Sequence, residues 1–174
     1  NLDKVNWPSL SSNPNAIRIL EKNLDKVHWK SLSLNPNAIG ILQKNMDKVF
    51  WPYLSKNQNA IQILEENLDK VSWDMFCLNP NAIHIIEKNL DMVFWSFVCS
   101  NENAIHFLEA NLDNVDWSAL SGNPNAIPIL EKNQRKIKWN ELAFNPSIFE
   151  YDRVKTLSSK NRFASLMTEF KSEF

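Results

Sequence analysis

Apolar positions recur along this chain on two nested periods. The short one is helical. In the stretch that opens at Asn79-Pro80-Asn81-Ala82-Ile83, residues Ala82, Ile83, Ile85 and Ile86 form one broad apolar face and leave Glu87 and Lys88 for solvent. The long one is 22 residues. Near-copies of the stretch begin at Asn13, Asn35, Asn57, Asn79, Asn101, Asn123 and Asn145, and a tryptophan keeps step at Trp7, Trp29, Trp51, Trp73, Trp95, Trp117 and Trp139. A fixed period of this length specifies a one-dimensional stack of small units. Asn79 is a favoured N-cap, and Pro80 follows at the first helical position, where its missing N–H costs nothing. One helix of about nine residues per unit is therefore predicted over 79–88 and its equivalents. Asn89 then serves as a left-handed C′ residue, with Leu90 folding back on Ile85. The same ending recurs at Asn23-Leu24, Asn45-Met46, Asn67-Leu68 and Asn111-Leu112.

A proline follows the tryptophan at Pro8 and Pro52, so a second helix starts at about the tryptophan and what precedes it is extended. Only a few residues remain before the next Asn, which leaves room for one or two turns of α or 3₁₀ helix. Trp and the apolar residue three on, as in Trp7/Leu10 and Trp29/Leu32, point the same way; in the fifth unit Val98 beside Phe97 makes that register ambiguous. Seven units tile the chain as 1–22, 23–44, 45–66, 67–88, 89–110, 111–132 and 133–154. The seventh decays, with Arg135 where the others keep Asp and Ser147-Ile148-Phe149 where they keep Asn-Ala-Ile. In 155–174, Phe163, Leu166, Met167, Phe170 and Phe174 fall on one helical face, which predicts a capping helix. The fold class that follows is all-α: a solenoid of seven 22-residue repeats over 1–154, each an α-helix plus a short α or 3₁₀ helix, closed by a C-terminal capping helix. A leucine-rich horseshoe needs Leu-x-Leu alternation on a strand. The segment Trp7-Pro8-Ser9-Leu10-Ser11-Ser12 has none.

Composition alters this picture little. Of 174 residues, 44% are apolar, and glycine occurs only at Gly40 and Gly122, which suits helices. No apolar run approaches the ~20 residues of a membrane span. Residue 1 falls inside a unit, without an initiator Met or signal-peptide pattern, which reads as a fragment or processed product. Cys77 and Cys99 read as buried free thiols, since helical layers ~8–10 Å apart are too distant for a disulfide. No Asn-X-Ser/Thr acceptor exists with X other than Pro, which favours a reducing, intracellular setting.

The unit Leu-Asp-Lys-Val-x-Trp-x-x-Leu-Ser-x-Asn-Pro-Asn-Ala-Ile-x-Ile-Leu-Glu-Lys-Asn resembles repeat proteins encoded by giant DNA viruses of the mimivirus kind. The ending Asn145-Pro146-Ser147-Ile148-Phe149-Glu150-Tyr151-Asp152 is similar to the way those arrays close. The resemblance covers the whole chain and implies a host-cytoplasm or virion location, with no catalytic residues. A looser resemblance, to leucine-rich variant repeats, implies alternating α and 3₁₀ helices.

Catalytic chemistry is sought without result: there is no Gly-rich phosphate loop, no Ser/His/Asp grouping and no Cys-x-x-Cys. No enzyme activity, cofactor or small-molecule substrate is expected. His84 and His106 share one repeat position, but a structural zinc wants four close ligands, so they read as exposed. Asp3, Asp25, Asp47, Asp69, Asp91 and Asp113 read as solvated caps of their own turns. The tryptophans, flanked by Val and Leu, read as core rather than as a stacking platform for nucleic acid.

What varies between units is more telling. The residue before each Trp runs Asn6, His28, Phe50, Ser72, Phe94, Asp116, Lys138; the residue two after it runs Ser9, Ser31, Tyr53, Met75, Phe97, Ala119, Glu141. Units three to five thus concentrate Phe50, Tyr53, Met75, Phe94 and Phe97 as a candidate protein-binding ridge. Residues 89–130 hold no Lys or Arg but carry Asp91, Glu102, Glu109, Asp113 and Asp116, so a basic partner is tolerated there. An alternative is nucleic-acid binding through Lys132, Arg135, Lys136, Lys138, Arg153, Lys155, Lys160 and Arg162, disfavoured by a net charge of −1. A third is a structural spacer that stacks on a neighbour through its uncapped N-terminal end and self-associates with concentration.

Overall fold

The structure, a computed structural model, describes residues 2–149. It is an all-helical solenoid with no strand among those residues. In chain order the α-helices are α1 (Trp7–Ser12) and α2 (Ile17–Glu21), α3 (Trp29–Leu34) and α4 (Ile39–Gln43), α5 (Trp51–Lys56) and α6 (Ile61–Glu65), α7 (Trp73–Cys77) and α8 (Ile83–Ile86), α9 (Trp95–Val98) and α10 (Ile105–Glu109), α11 (Trp117–Gly122) and α12 (Ile127–Lys132), and α13 (Trp139–Leu142). Short 3₁₀ segments such as Met46–Lys48 and Leu68–Lys70 precede each Trp helix except α3, where residues 24–26 form a turn. Each Trp helix packs on the Trp helix of the next repeat, from α1 on α3 through to α11 on α13. The capping helix expected over 155–174 lies outside the described residues.

The predicted nine-residue helix is not formed. The α-helices that begin at Ile are four to six residues long, and the Asn-Pro-Asn-Ala segment before them is a 3₁₀ turn, as at Pro14–Ala16 and Pro124–Ala126. The cause is the cap itself. Asn13 Oδ1 accepts from the Asn15 N–H and the Asn13 carbonyl from the Ala16 N–H, which draws the entry into i→i+3 bonding. The left-handed ending is also absent: no described residue, glycine included, has positive φ. Asn89 sits at φ −133°, and its side-chain Nδ2 donates to the Ile85 carbonyl at 2.8 Å. Asn23, Asn45, Asn67, Asn111 and Asn133 do the same at 2.8 Å. An amide side chain thus satisfies the carbonyl that a Schellman turn would satisfy with backbone, and Leu90 stays 52% exposed rather than folding back.

The core is a set of parallel rungs. Leu20, Leu42, Leu64, Ile86, Leu108 and Leu130 form one; Leu32, Leu54, Phe76, Val98, Leu120 and Leu142 form another, with Ala16, Ala38, Ala60, Ala82, Ala104 and Ala126 between the helices. Val98 is buried and Phe97 half-buried, which fixes the fifth register. The tryptophans pack against this core and are half-buried. In the first three units a lysine of the next repeat lies over the ring: Lys26 Nζ is 5.7 Å from the Trp7 ring, Lys48 4.9 Å from Trp29 and Lys70 5.2 Å from Trp51. Of the Asp series, all six are exposed, and none closes its turn by a side-chain hydrogen bond.

Hydrogen bonds that cross from repeat to repeat lock the rungs in register. Asn35 Nδ2 donates to the Ser11 and Asn13 carbonyls at 2.9 and 3.0 Å. The pattern continues through Asn57, Asn79, Asn101 and Asn123 to Asn145. A second amide series, Asn37 to the Pro14 carbonyl through Asn125 to the Glu102 carbonyl, runs beside it. A third uses serine: Ser33 Oγ accepts from the Phe50 N–H at 3.0 Å and donates to the Trp29 carbonyl at 2.9 Å.

Cys77 and Cys99 are buried free thiols at this serine register, and they accept from the Phe94 and Asp116 N–H groups. Burial pushes both thiols up, against that backbone bond, Cys99 to about 11. Replacing both with Ser is expected to leave stability within about 1 kcal/mol, whereas Cys77→Val costs about 1–3 kcal/mol by orphaning the Phe94 N–H. Urea midpoints check both. Because the folded thiols stay protonated where unfolded ones have ionised, stability is full below about pH 9 and falls as pH rises toward 11. The double serine variant should lack that fall.

Candidate functional site

The two variable positions singled out by sequence are the N-cap and third residue of each Trp helix, one turn apart on the same side. Where the N-cap is polar it caps: Asn6 Oδ1 accepts from the Ser9 N–H at 3.0 Å, His28 Nδ1 from Ser31, and Asp116 Oδ1 from Ser118 and Ala119 at 2.9 and 3.2 Å. At Phe50 and Phe94 no side-chain cap exists. Each of these rings instead meets the ring three residues on. Phe50 and Tyr53 are edge-to-face at 5.1 Å, and Phe94 and Phe97 at 6.3 Å. Trading a cap worth about 1 kcal/mol for a ring pair worth about 0.5–1.5 kcal/mol leaves stability roughly unchanged.

Phe94 is 49% and Tyr53 36% exposed, while Phe50, Met75 and Phe97 are half-buried. The five residues thus share one register across α5, α7 and α9, with two ring pairs and Met75 on the repeat between them. Ser72, between the pairs, hydrogen-bonds to Asp74 and does not cap its helix.

The two pairs differ in their surroundings. Lys30 Nζ sits 4.8 Å from the Phe50 ring and 5.2 Å from the Tyr53 ring, a contact that the sequence-based ridge omits. Beyond Phe94 and Phe97 the stripe becomes small and acidic. Ser118, Ala119 and Gly122 floor a cleft of about 570 Å³, rimmed by Glu102, Asp116 and Glu141. Leu90 and Met92 are also exposed in this repeat.

Lys132 is paired with Glu109 at 3.2 Å. Arg135, Lys136 and Lys138 are exposed, and Arg153, Lys155, Lys160 and Arg162 lie outside the described residues. His84 and His106 are exposed. Among the described residues no group of three or more His, Cys, Asp or Glu could hold a metal, and no helix is long and apolar enough to cross a membrane.

Fold and surface together define a tandem-repeat helical solenoid with a variable ridge. No family model, curated protein or solved structure matches the chain.

Proposed function

We propose that this chain is a non-enzymatic repeat scaffold whose ridge, Phe50, Tyr53, Met75, Phe94 and Phe97, receives a protein partner. The observation that carries this reading is the loss of helix caps at Phe50 and Phe94 in favour of rings left at the surface. A rigid array presents such rings in advance, so little ordering entropy opposes docking, and aromatics are the side chains most able to anchor it. Replacing Phe50, Tyr53, Phe94 and Phe97 together with Ser is expected to leave the far-UV circular dichroism helical while abolishing partner capture. Capture that persists in a folded quadruple variant removes the ridge. The giant-virus setting implied by the repeat's resemblance belongs to this proposal.

A further inference from the structure

The repeat places one question twice in the same geometry and answers it differently. At Phe50/Tyr53 the chain supplies its own cation: Lys30, on the preceding repeat, lies over both rings. Phe94 and Phe97 stand 44 residues further on, two repeats along, and the residue in the register of Lys30 is Asp74. The position that covers one ring pair with an ammonium therefore holds a carboxylate in the repeat before the other, where Asp74 also accepts from the Ser72 hydroxyl.

The neighbourhood of the second pair carries the same sign throughout. On the following repeat, Asp116 Oδ1 is committed to the Ser118 and Ala119 N–H groups, with Oδ2 left over. Glu102 and Glu141 line, with Asp116, the cleft further along the array. No Lys or Arg occurs from 89 to 130, and the next cation along the ridge is Lys138, two repeats past Phe94. A ring face concentrates negative potential, and flanking carboxylates deepen it, so a cation is attracted more strongly than either element alone would manage.

Resting on the ridge reading above, we propose that the Phe94/Phe97 pair, between Asp74 and the Asp116–Glu102–Glu141 cleft, is a recognition site for an arginine side chain on a partner segment. Arginine suits it because a planar guanidinium stacks on a ring while its edge donates to carboxylates. Lys30 is then an internal occupant of the cation position at Phe50/Tyr53, which leaves those rings to apolar contacts with the partner.

The probe is a fluorescein-labelled dodecapeptide of Arg, Leu and Gly, set against the same peptide with citrulline, the uncharged isostere of arginine. In low-salt anisotropy titrations the arginine peptide should bind about tenfold more tightly, and the gap should shrink as salt screens the carboxylates. Asp74→Lys, which installs the chain's own cation, should abolish the preference, as should Phe94→Leu with Phe97→Leu, which keeps the apolar bulk without the ring face. Lys30→Glu should open the second site and raise the stoichiometry from one to two. Circular dichroism verifies that each variant folds. Equal binding of the two peptides, no binding of the arginine peptide at millimolar concentration, or a preference that survives Asp74→Lys overturns the proposal. If the arginine preference is missing while partner capture still depends on the ridge phenylalanines, this inference fails and the ridge stands. If capture ignores them, the ridge itself is gone.

Discussion

Asn101→Ala is expected to destabilise the array by about 3 kcal/mol, whereas Asn13→Ala, the same change at the same repeat position, costs only about 1 kcal/mol. Asn101 is buried, and its Nδ2 donates to the Cys77 and Asn79 carbonyls at 3.0 and 2.9 Å, while its Oδ1 accepts from the Asn103 N–H at 3.0 Å. Alanine removes three bonds, leaves the Cys77 carbonyl and the Asn103 N–H without these partners, and leaves the Asn79 carbonyl only the Ala82 N–H. Asn13 is exposed and keeps only the local bond from the Asn15 N–H. Paired urea titrations check the difference, with the m-value reporting whether the array still unfolds as one unit. Equal losses at the two positions would mean that the amide matters only as a local cap, and the cross-repeat series would carry no weight in stability.

The second large effect sets two phenylalanines against each other. Phe76→Ala should cost about 3–5 kcal/mol, since the ring is wholly buried in the register of Leu32 and Leu54 and meets Trp73 edge-on at 5.5 Å. Phe94→Asp should leave stability within about 1 kcal/mol of the parent or raise it. The change restores the capping chemistry seen at Asp116 and gives up one edge-to-face contact with Phe97. Thermal and urea unfolding of the two single variants check this, with partner binding followed alongside. A loss at Phe94 as large as that at Phe76 would make the ridge ring a structural element and remove the reason to look for an occupant.

The helical stack is legible in the sequence because periodicity is a property of side chains: the Trp and Ile positions, the proline after Trp, and the scarcity of glycine all point one way. Helix length is not, since an Asn-Pro entry suits an α-helix and a 3₁₀ turn alike, and only the bond from Asn Oδ1 two residues on decides between them. The ending at Asn89 misleads for a related reason. Asparagine tolerates the left-handed conformation, but its amide also reaches the carbonyl four residues back, and composition cannot rank the two. The cross-repeat amide series is invisible because its acceptors are backbone carbonyls, which leave no mark on residue type. On the ridge, the phenylalanines stand out as departures from a constant pattern. Lys30 and Asp74 do not, because they sit one repeat earlier and at a different offset from Trp.

The serine and asparagine bonds that tie each repeat to its predecessor have a mechanical corollary. The asparagine bonds recur at every joint between described repeats, with cysteine in place of serine at two of them, so tension applied along the array has no single keystone to break. Such a molecule would pay out slack module by module, each peeled repeat of 22 residues releasing about 70 Å of thread, and would rewind by templating on whichever module remained seated.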